Sequence, residues 1–476
     1  MSLPSHRLET DSDPVPRSSA LLGMRSGDTG ALWAIVAILF FAVAFGGGGS
    51  RFAMPNLVVQ LAALAALSFH RRAFFEFWVD APLMLRLVVA FSIILPLVYI
   101  IPLPNGVWTA LPGRELVIQS FELVDEGGWA STSVDPIRTL LALTALIAPL
   151  ALLAIGWRAS LEQLILAGWV VVALALCNLA IGIPQVLTNS EVGVLYPQNP
   201  MPGVLFGTFA NRNSTGLFLA AALALAALLP APRRLGQSAM ALRVMICALL
   251  LVAVVLTRSR TAIVLALIPI GLVLLRQLSV WLALRSAADG GAGKARIWAA
   301  IVPLVAIPVV LAGVLALAPG RVGDMVDRFD SQEDARAYIW DDATYAAGRY
   351  WPIGSGTGTF DEVFHVDESL ENLTLKRPGR AHNDYIELAI EAGVPGIALA
   401  VAWLLMVFWL SWRARKAHDR WIAWSGAVGL LLIALQSITD YPLRNLSLLT
   451  FAAFALLLLL RFGQPPKAKQ AQEGSS

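Results

Sequence analysis

The hydrophobic residues of this chain fall into long apolar runs, which short polar or charged segments separate. Most runs are roughly 17 to 25 residues long, the length at which a helix spans a bilayer. Twelve can be placed, at approximately residues 31–47, 54–69, 82–103, 137–157, 160–183, 214–231, 239–257, 261–282, 297–319, 394–411, 421–439 and 445–462. The pattern therefore predicts an all-α polytopic membrane protein with about 12 transmembrane helices.

The composition excludes a soluble globular protein. Of 476 residues, 57% are hydrophobic and 14% are charged, whereas a soluble domain carries about 25% charged residues. Cys177 and Cys247 both lie within apolar runs, so we expect neither a disulfide framework nor a cysteine-rich metal cluster. The net charge is +3 and the basic residues are scattered. We therefore expect the lipid bilayer as a partner, and no nucleic acid.

Two segments between the apolar runs are long enough to fold outside the membrane, residues 104–136 and residues 320–393. The second is rich in acidic residues and forms the one large loop, between helices nine and ten. The predicted order along the chain is a disordered tail (1–30), helices one to nine (31–319), the large loop (320–393), helices ten to twelve (394–462) and a second disordered tail (463–476).

The distribution of lysine and arginine predicts the orientation. Most basic residues of the short loops fall on the same side as the two tails, so the positive-inside rule places both termini in the cytoplasm and the large loop outside. Alternatively, the first run, which ends in Gly46–Gly49, is a cleaved signal peptide. Its polar leader of about 30 residues is long for a signal peptide, which favours a retained helix.

Two of the five histidines, His365 and His382, lie on the predicted outer face. His382 opens the run AHNDYIELAIEAGVPG, in which Asp384 and Glu387 have capping-box spacing and Gly393 ends the helical pattern. We therefore expect His382 just before the start of a helix, where the helix dipole disfavours an added proton. A neutral imidazole there suits a general base. The alternative is a structural histidine that ties the loop to the membrane surface.

Several arginines are expected near the outer boundary. Arg258 and Arg260 close span seven in LTRSRTA, Arg212 flanks span six, and Arg336 lies in an amphipathic pattern. Arginine binds phosphate oxygens through two hydrogen bonds and keeps its charge, so these are candidate anion contacts. The alternatives are snorkelling to the interface at span seven and a solvated ion pair of Arg336 with Glu333.

Two further features favour structural roles. The run GSGTGTF contains Gly354, Gly356 and Gly358 and is typical of a tight turn, with an anion-binding nest as the alternative. Asp440 and Arg444, in TDYPLR, have the spacing to pair with each other across a turn.

Five motifs follow one another over roughly residues 200–455. They are SRT at the start of span eight, ARAYIW and PIGSGTGTF in the large loop, AHNDYIELAIEAGVPG at the entry to span ten, and SITDYPLR before span twelve. This order resembles the O-antigen ligase and polysaccharide polymerase superfamily of bacterial inner-membrane glycosyltransferases. The resemblance implies a periplasmic active site.

The resemblance also implies the reaction. A glycan would move from undecaprenyl pyrophosphate to an acceptor hydroxyl, which belongs to the lipid A core in ligases and to another lipid-linked glycan in polymerases. The reaction would need no metal, cofactor or soluble nucleotide. The family histidine maps onto His382 as the catalytic base, and the phosphate-handling arginines map onto Arg260 and Arg336.

The remaining candidates support these three residues. Arg258 and Arg212 would assist in binding phosphate, and Asn383 or Asp384 would orient the acceptor or the end of the helix. We favour a ligase-like function, with a polymerase as the first alternative. The second is a transporter or flippase without catalysis. It is less favoured because the spans are nearly free of charge and show no internal repeat.

Overall fold

A computed structural model describes residues 28–125, 127–196, 201–231, 238–286, 336–373 and 378–464. Its α-helices are Asp28–Phe45, Ala53–Phe69, Arg71–Asp80, Leu83–Ile100, Asn105–Trp108, Glu115–Leu123, Pro136–Thr144, Ile147–Arg158, Leu161–Leu187, Arg212–Leu228, Ser238–Leu256, Arg260–Ser286, Arg336–Tyr350, Phe360–Phe364, Asp384–Ala414, Arg420–Gln436 and Leu446–Phe462. Short 3-10 turns cover Gly46–Gly48, Leu370–Asn372 and Pro442–Arg444. Two-residue strands, Pro102–Leu103 and Ala130–Ser131, pair antiparallel.

The described helices confirm an all-α polytopic membrane protein. Seven helical segments are long and apolar enough to cross a membrane, and a bent pair makes an eighth candidate. Three apolar helices are shorter, at 17 residues each. Eleven of the twelve predicted spans coincide with these helices. The ninth, 297–319, lies outside the described residues, as do most of the two tails, so the count of twelve stays a prediction.

The charged pair Arg71 and Arg72 begins a helix, where the sequence suggested a break between spans. The helix Arg71–Asp80 is bent by 82° from Ala53–Phe69. The reason is its amphipathic pattern, which buries Ala73 and Phe77 while both arginines stay exposed. Phe77 packs edge-on against Trp157 at 6.2 Å between ring centroids. The chain thus closes one end of the bundle with this short helix before the next span begins.

The helix Arg212–Leu228 forms the centre of the bundle. Every residue from Ser214 to Leu228 is buried, as expected for a helix that is apolar on all sides. Its alanine-rich surface lets the neighbouring helices Ser238–Leu256, Arg260–Ser286 and Arg420–Gln436 approach closely. Because Asn211 caps its first turn, polar groups lie at the end of the apolar core.

Three segments that connect α-helices meet at the end of the first helix. The carbonyl oxygen of Gly47 accepts a hydrogen bond from the amide of Ala210 (3.0 Å) and another from the Asn445 side chain (2.9 Å). Backbone inside a membrane protein must find such partners, because lipid offers none. Ile35 and Ile38 of the first helix are fully buried in the core. These contacts place the first helix and the glycines that follow it in the core of the bundle.

The described part of the large loop packs on the start of Asp384–Ala414. Ala343, Ala346 and Tyr350 share a second apolar cluster with Phe364 and Ile390. The buried guanidinium of Arg114 donates to the carbonyl oxygens of Thr132 and Gly354, which joins residues 104–136 to the same assembly. These two segments together cover the end of the bundle at which His382 lies.

Candidate functional site

His382 lies immediately before the helix Asp384–Ala414. Asn383 is the helix cap, and its Oδ1 accepts hydrogen bonds from the amides of Tyr385 (2.9 Å) and Ile386 (3.1 Å). The backbone of His382 is left-handed, with φ of 52°, a conformation that non-glycine residues adopt at a cost of about 1–3 kcal/mol. Its side chain is 35% exposed. The imidazole therefore stands at the helix start and remains accessible.

The predicted capping box of Asp384 and Glu387 is wrong by one position, because Asn383 caps the helix. Asp384 instead accepts a hydrogen bond from the Ser437 hydroxyl at 2.9 Å. Glu387 accepts one from the amide of Ala381 at 2.9 Å. Both carboxylates are buried. They hold the segment before the helix and the turn after Arg420–Gln436 in place.

Asp440 pairs with His382, which corrects the predicted pairing of Asp440 with Arg444. His382 Nδ1 lies 3.1 Å from Asp440 Oδ1, and the Asp440 side chain is 2% exposed. The second oxygen, Oδ2, accepts a hydrogen bond from Asn211 Nδ2 at 2.9 Å. The ring of Tyr441 packs on the imidazole at 5.0 Å between centroids. The histidine is thus held by a buried carboxylate and an aromatic ring.

Electrostatics keep Asp440 ionised. Burial alone would raise the pKa of its carboxyl group. The hydrogen bond and charge of His382, the hydrogen bond from Asn213 and the charge of Arg336 outweigh that effect and lower the pKa below its ordinary value. An ionised Asp440 can only accept a hydrogen bond, so His382 Nδ1 carries the hydrogen and donates it, and Nε2 is the nitrogen that can take a proton. Because the charge of Arg336 acts on Asp440, this residue of the large loop lies near the His382–Asp440 pair.

A chain of hydrogen bonds links Asp440 to the segment that carries Arg258 and Arg260. The Asn213 side chain donates to Asp440 and accepts a hydrogen bond from the Ser259 hydroxyl at 2.7 Å. Ser259 stands between the two arginines, and Arg260 is the first residue of Arg260–Ser286. The two arginines predicted to bind phosphate therefore reach the His382 centre by different routes. Arg260 belongs to the segment that contacts Asn213 through Ser259, and Arg336 acts on Asp440 through its charge.

Arg258 and Arg212 flank the same region. Arg258 has a left-handed backbone, with φ of 51°, and its buried Nε has no hydrogen-bond partner among the described residues. Its guanidinium lies against Gly203, where an added Cβ would stand 3.4 Å from Nη2. Arg212 begins its helix directly after the cap Asn211. Sequence reasoning named both arginines but missed Asn211 and Asn213, which flank Arg212.

A buried charge network lies along the first turns of Asp384–Ala414. Arg444 pairs with Glu391 (2.7 Å), Glu387 (3.4 Å) and Asp384 (3.5 Å), and Arg380 pairs with Glu387 at 3.1 Å. Burial would lower the pKa of Arg444, but the three carboxylates raise it. Arg444 therefore stays charged. Its network fixes the angle at which the helix leaves the site.

The glycine run forms a structural turn. Gly354, Gly356 and Gly358 have φ of 98°, 114° and 88°, which glycine adopts without strain. The amides of Gly354, Ser355 and Gly356 donate to backbone oxygens of residues 350, 390 and 391 at 2.7–2.9 Å. Because these amides are occupied, they are not available to an anion. The turn packs against the kink at Gly393, where the backbone of the helix is non-helical.

Asp440 is the site residue that sequence reasoning assigned to another role. It lies 58 residues from His382, and neither segment carries a local pattern that predicts their contact. Asn211 and Asn213 flank Arg212, and their position at the start of an apolar run was the signal that could have drawn attention to them. In the described residues, no three His, Cys, Asp or Glu side chains are arranged to hold a metal.

A comparison with models of protein families gives a match to part of the chain. Residues 245–401 match a family model described as O-antigen ligase, which covers about a third of the chain. The matched region contains Arg258, Arg260, Arg336 and His382 and ends before Asp440. The chain matches no curated protein.

Proposed function

Residues 245–401 belong to the O-antigen ligase family, and on that premise we propose that the protein moves a glycan from undecaprenyl pyrophosphate to an acceptor hydroxyl. The acceptor is a sugar of the lipid A core, and the reaction takes place at the periplasmic face of the bacterial inner membrane. The polyprenyl tail of the donor lies among the membrane helices. The described part of the large loop covers the glycan.

The pairing of His382 with Asp440 carries this proposal. A partly exposed imidazole held by a buried, ionised carboxylate is suited to take a proton at Nε2, because the carboxylate stabilises the imidazolium that forms. The packing of Tyr441 and the Nδ1 hydrogen bond fix the direction of the ring. A histidine with a purely structural role would not need an accessible Nε2.

The reaction is a direct displacement at the anomeric carbon. The acceptor oxygen forms a bond to this carbon while its proton passes to Nε2 of His382. The bond from the carbon to the phosphate oxygen breaks, and the pyrophosphate leaves with the electron pair, so the configuration inverts. General-base assistance of this kind contributes about 10² to 10⁴-fold to the rate.

Arginines stabilise the charge that develops on the leaving group. Arg260 and Arg336 form the pyrophosphate clamp, with Arg258 and Arg212 in support, because guanidinium groups bind phosphate oxygens and keep their charge. The effect of Arg336 on Asp440 and the link through Ser259 support their grouping around His382. Asn383 and Asp384 orient the end of the helix, consistent with their hydrogen bonds.

The test compares His382→Ala with His365→Ala. His365 is the matched control, since its side chain pairs with Glu368 at 2.8 Å and Asp361 at 3.5 Å, away from Asp440. We expect His382→Ala to lose about 10² to 10⁴-fold in transfer rate in purified membranes at normal protein level, while His365→Ala keeps activity. Transfer by His382→Ala near the wild-type rate would remove the base assignment.

The acceptor is identified in a strain that lacks this protein. Gel analysis that shows long glycan still made but absent from lipopolysaccharide indicates a ligase. Single repeat units instead indicate a polymerase. Loss of glycan from the outer face together with accumulated donor on the inner face would indicate the flippase alternative.

A further inference from the structure

A turn between the first two described helices reaches the segment before His382. The turn closes through a hydrogen bond from the Phe52 amide to the Gly49 oxygen (3.3 Å), and Asn56 Nδ2 donates to the same oxygen (2.9 Å). The ring of Phe52 packs on Tyr196 at 4.5 Å between centroids. These contacts fix the turn at both ends, so the side chain at its tip is presented from a rigid support.

Arg51, at this tip, lies against Gly379. A Cβ added at Gly379 would overlap the Arg51 guanidinium, with Nη2, Cζ and Nε as its three nearest atoms. The neighbouring residue, Ser50, accepts a hydrogen bond from Arg380. The absence of a side chain at position 379 is therefore what allows the guanidinium to lie against this segment.

The charge of Arg51 is not neutralised within the described part of the chain. Arg380 beside it pairs with Glu387, but Arg51 is exposed, and no carboxylate of a described residue lies within ion-pair distance of it. An arginine with a structural role would be expected to bind a carboxylate or backbone oxygen, as Arg444 and Arg114 do.

Arg51 is also close to the base. Gly379 precedes His382 by three residues, and three residues of extended chain span at most about 10 Å. Arg51 and Arg380 thus place two guanidinium groups near the imidazole. A positive charge beside a site that handles phosphorylated molecules favours anions, and it acts more strongly as water is displaced on binding.

We propose that Arg51 and the surface of Gly379 form an anion-binding subsite next to His382. The inference rests on the proposed function for the identity of the substrates. The ligand is a phosphate group, carried either by the diphosphate of the donor or by a phosphorylated sugar of the acceptor. Arg51 binds its oxygens through the two parallel N–H groups that guanidinium offers.

Binding to the purified full chain tests the subsite without any transfer reaction. Farnesyl pyrophosphate is the probe for the donor diphosphate. Glucose 6-phosphate, added with farnesyl pyrophosphate already bound, is the probe for a phosphorylated acceptor. Four variants are compared: Arg51→Ala, Gly379→Ala, and the controls Arg72→Ala, an exposed arginine elsewhere, and Gly106→Ala, whose added Cβ meets open space.

We expect Arg51→Ala to raise the dissociation constant of one of the two probes at least about tenfold, as for the loss of a charge-assisted hydrogen bond. Gly379→Ala is expected to weaken the same probe, because its methyl group displaces the guanidinium while its charge remains. Loss for farnesyl pyrophosphate assigns the subsite to the donor, and loss for glucose 6-phosphate alone assigns it to the acceptor.

The proposal is overturned if Arg51→Ala binds both probes as the wild type does, or if Gly379→Ala binds normally while Arg51→Ala does not. Thermal unfolding of each variant shows whether it has a folding defect. If Arg51→Ala has one, Arg51→Lys, which keeps the charge, is measured in its place and should retain part of the affinity for the probe. Failure of the proposed function is distinguishable, because it would be seen as transfer by His382→Ala and would leave these binding results unchanged.

Discussion

His382 and Asp440, 58 residues apart in the chain, are joined by a hydrogen bond of 3.1 Å between Nδ1 and Oδ1. The carboxylate is buried and the imidazole is accessible, so the pair has one side closed by protein and one side open to a substrate. Asn211 holds the remaining oxygen of the carboxylate.

Asp440→Asn should reduce transfer about 10² to 10⁴-fold, because the amide neither orients the ring correctly nor stabilises the imidazolium. The measurement is the transfer rate in membranes at equal protein level. The double variant with His382→Ala should be no slower than His382→Ala alone, since the two residues act as a unit. Additive losses in the double variant would show that Asp440 acts independently of His382.

The lowered pKa of Asp440 predicts a dependence of stability on pH. The ordinary aspartate pKa is about 3.9, and that of folded Asp440 is lower. The stabilisation is therefore fully present above about pH 4 and is lost as the pH falls through the folded pKa. Thermal unfolding of the full chain between about pH 3 and 7 should show a steeper acid loss for the wild type than for Asp440→Asn. Asp341→Asn, at an exposed position, is the control and should keep the wild-type slope.

Arg444→Met should destabilise the protein by about 3–5 kcal/mol, because it removes the cation that three buried carboxyl groups share, and among the described residues only Glu387 keeps another cationic partner, Arg380. Lys416→Met removes a positive charge at an exposed position and should change stability by less than about 0.5 kcal/mol. Chemical unfolding in detergent measures both. Equal stability of the two variants would contradict the assignment of the network as a structural support.

Gly393→Ala should disturb the site more than Gly271→Ala. At Gly393, φ is 51° and an added Cβ would overlap the carbonyl of Pro352, so the kink against the glycine turn cannot form without strain. At Gly271 the added Cβ meets open space within a helix, and alanine should be neutral or stabilising by up to about 1 kcal/mol. The transfer rate and the unfolding temperature should both fall for Gly393→Ala and stay unchanged or rise for Gly271→Ala.

The helices could be placed from the sequence because bilayer thickness imposes a run length that is visible in the chain. His382 could be placed before a helix because capping residues follow it. The exact capping residue could not be predicted, since Asn383 and Asp384 are both good caps. In the structure Asp384 is buried beside Arg444, and Asn383 caps the helix. The helix Arg71–Asp80 was missed because a ten-residue amphipathic helix has no span-length signal.

The partner of His382 could not be predicted from any local sequence pattern. Asp440 is four residues from Arg444, and proximity along the chain suggested their pairing. In the fold, the end of Arg420–Gln436 turns toward the start of Asp384–Ala414, so Asp440 meets the histidine while Arg444 meets three carboxylates. Which of two charged neighbours faces which partner depends on the packing of separate helices, and that information is not contained in either segment.

The hydrogen bond between Gly47 and Asn445 spans 398 residues, and it has a consequence for biosynthesis. The ribosome makes one partner near the beginning and the other near the end, so this contact cannot form until the final helix has been made. Asp440 is likewise among the last residues to emerge. A nascent or prematurely terminated polypeptide that stops before residue 440 therefore lacks both the Asp440 carboxylate and this contact, and we expect it to be inactive.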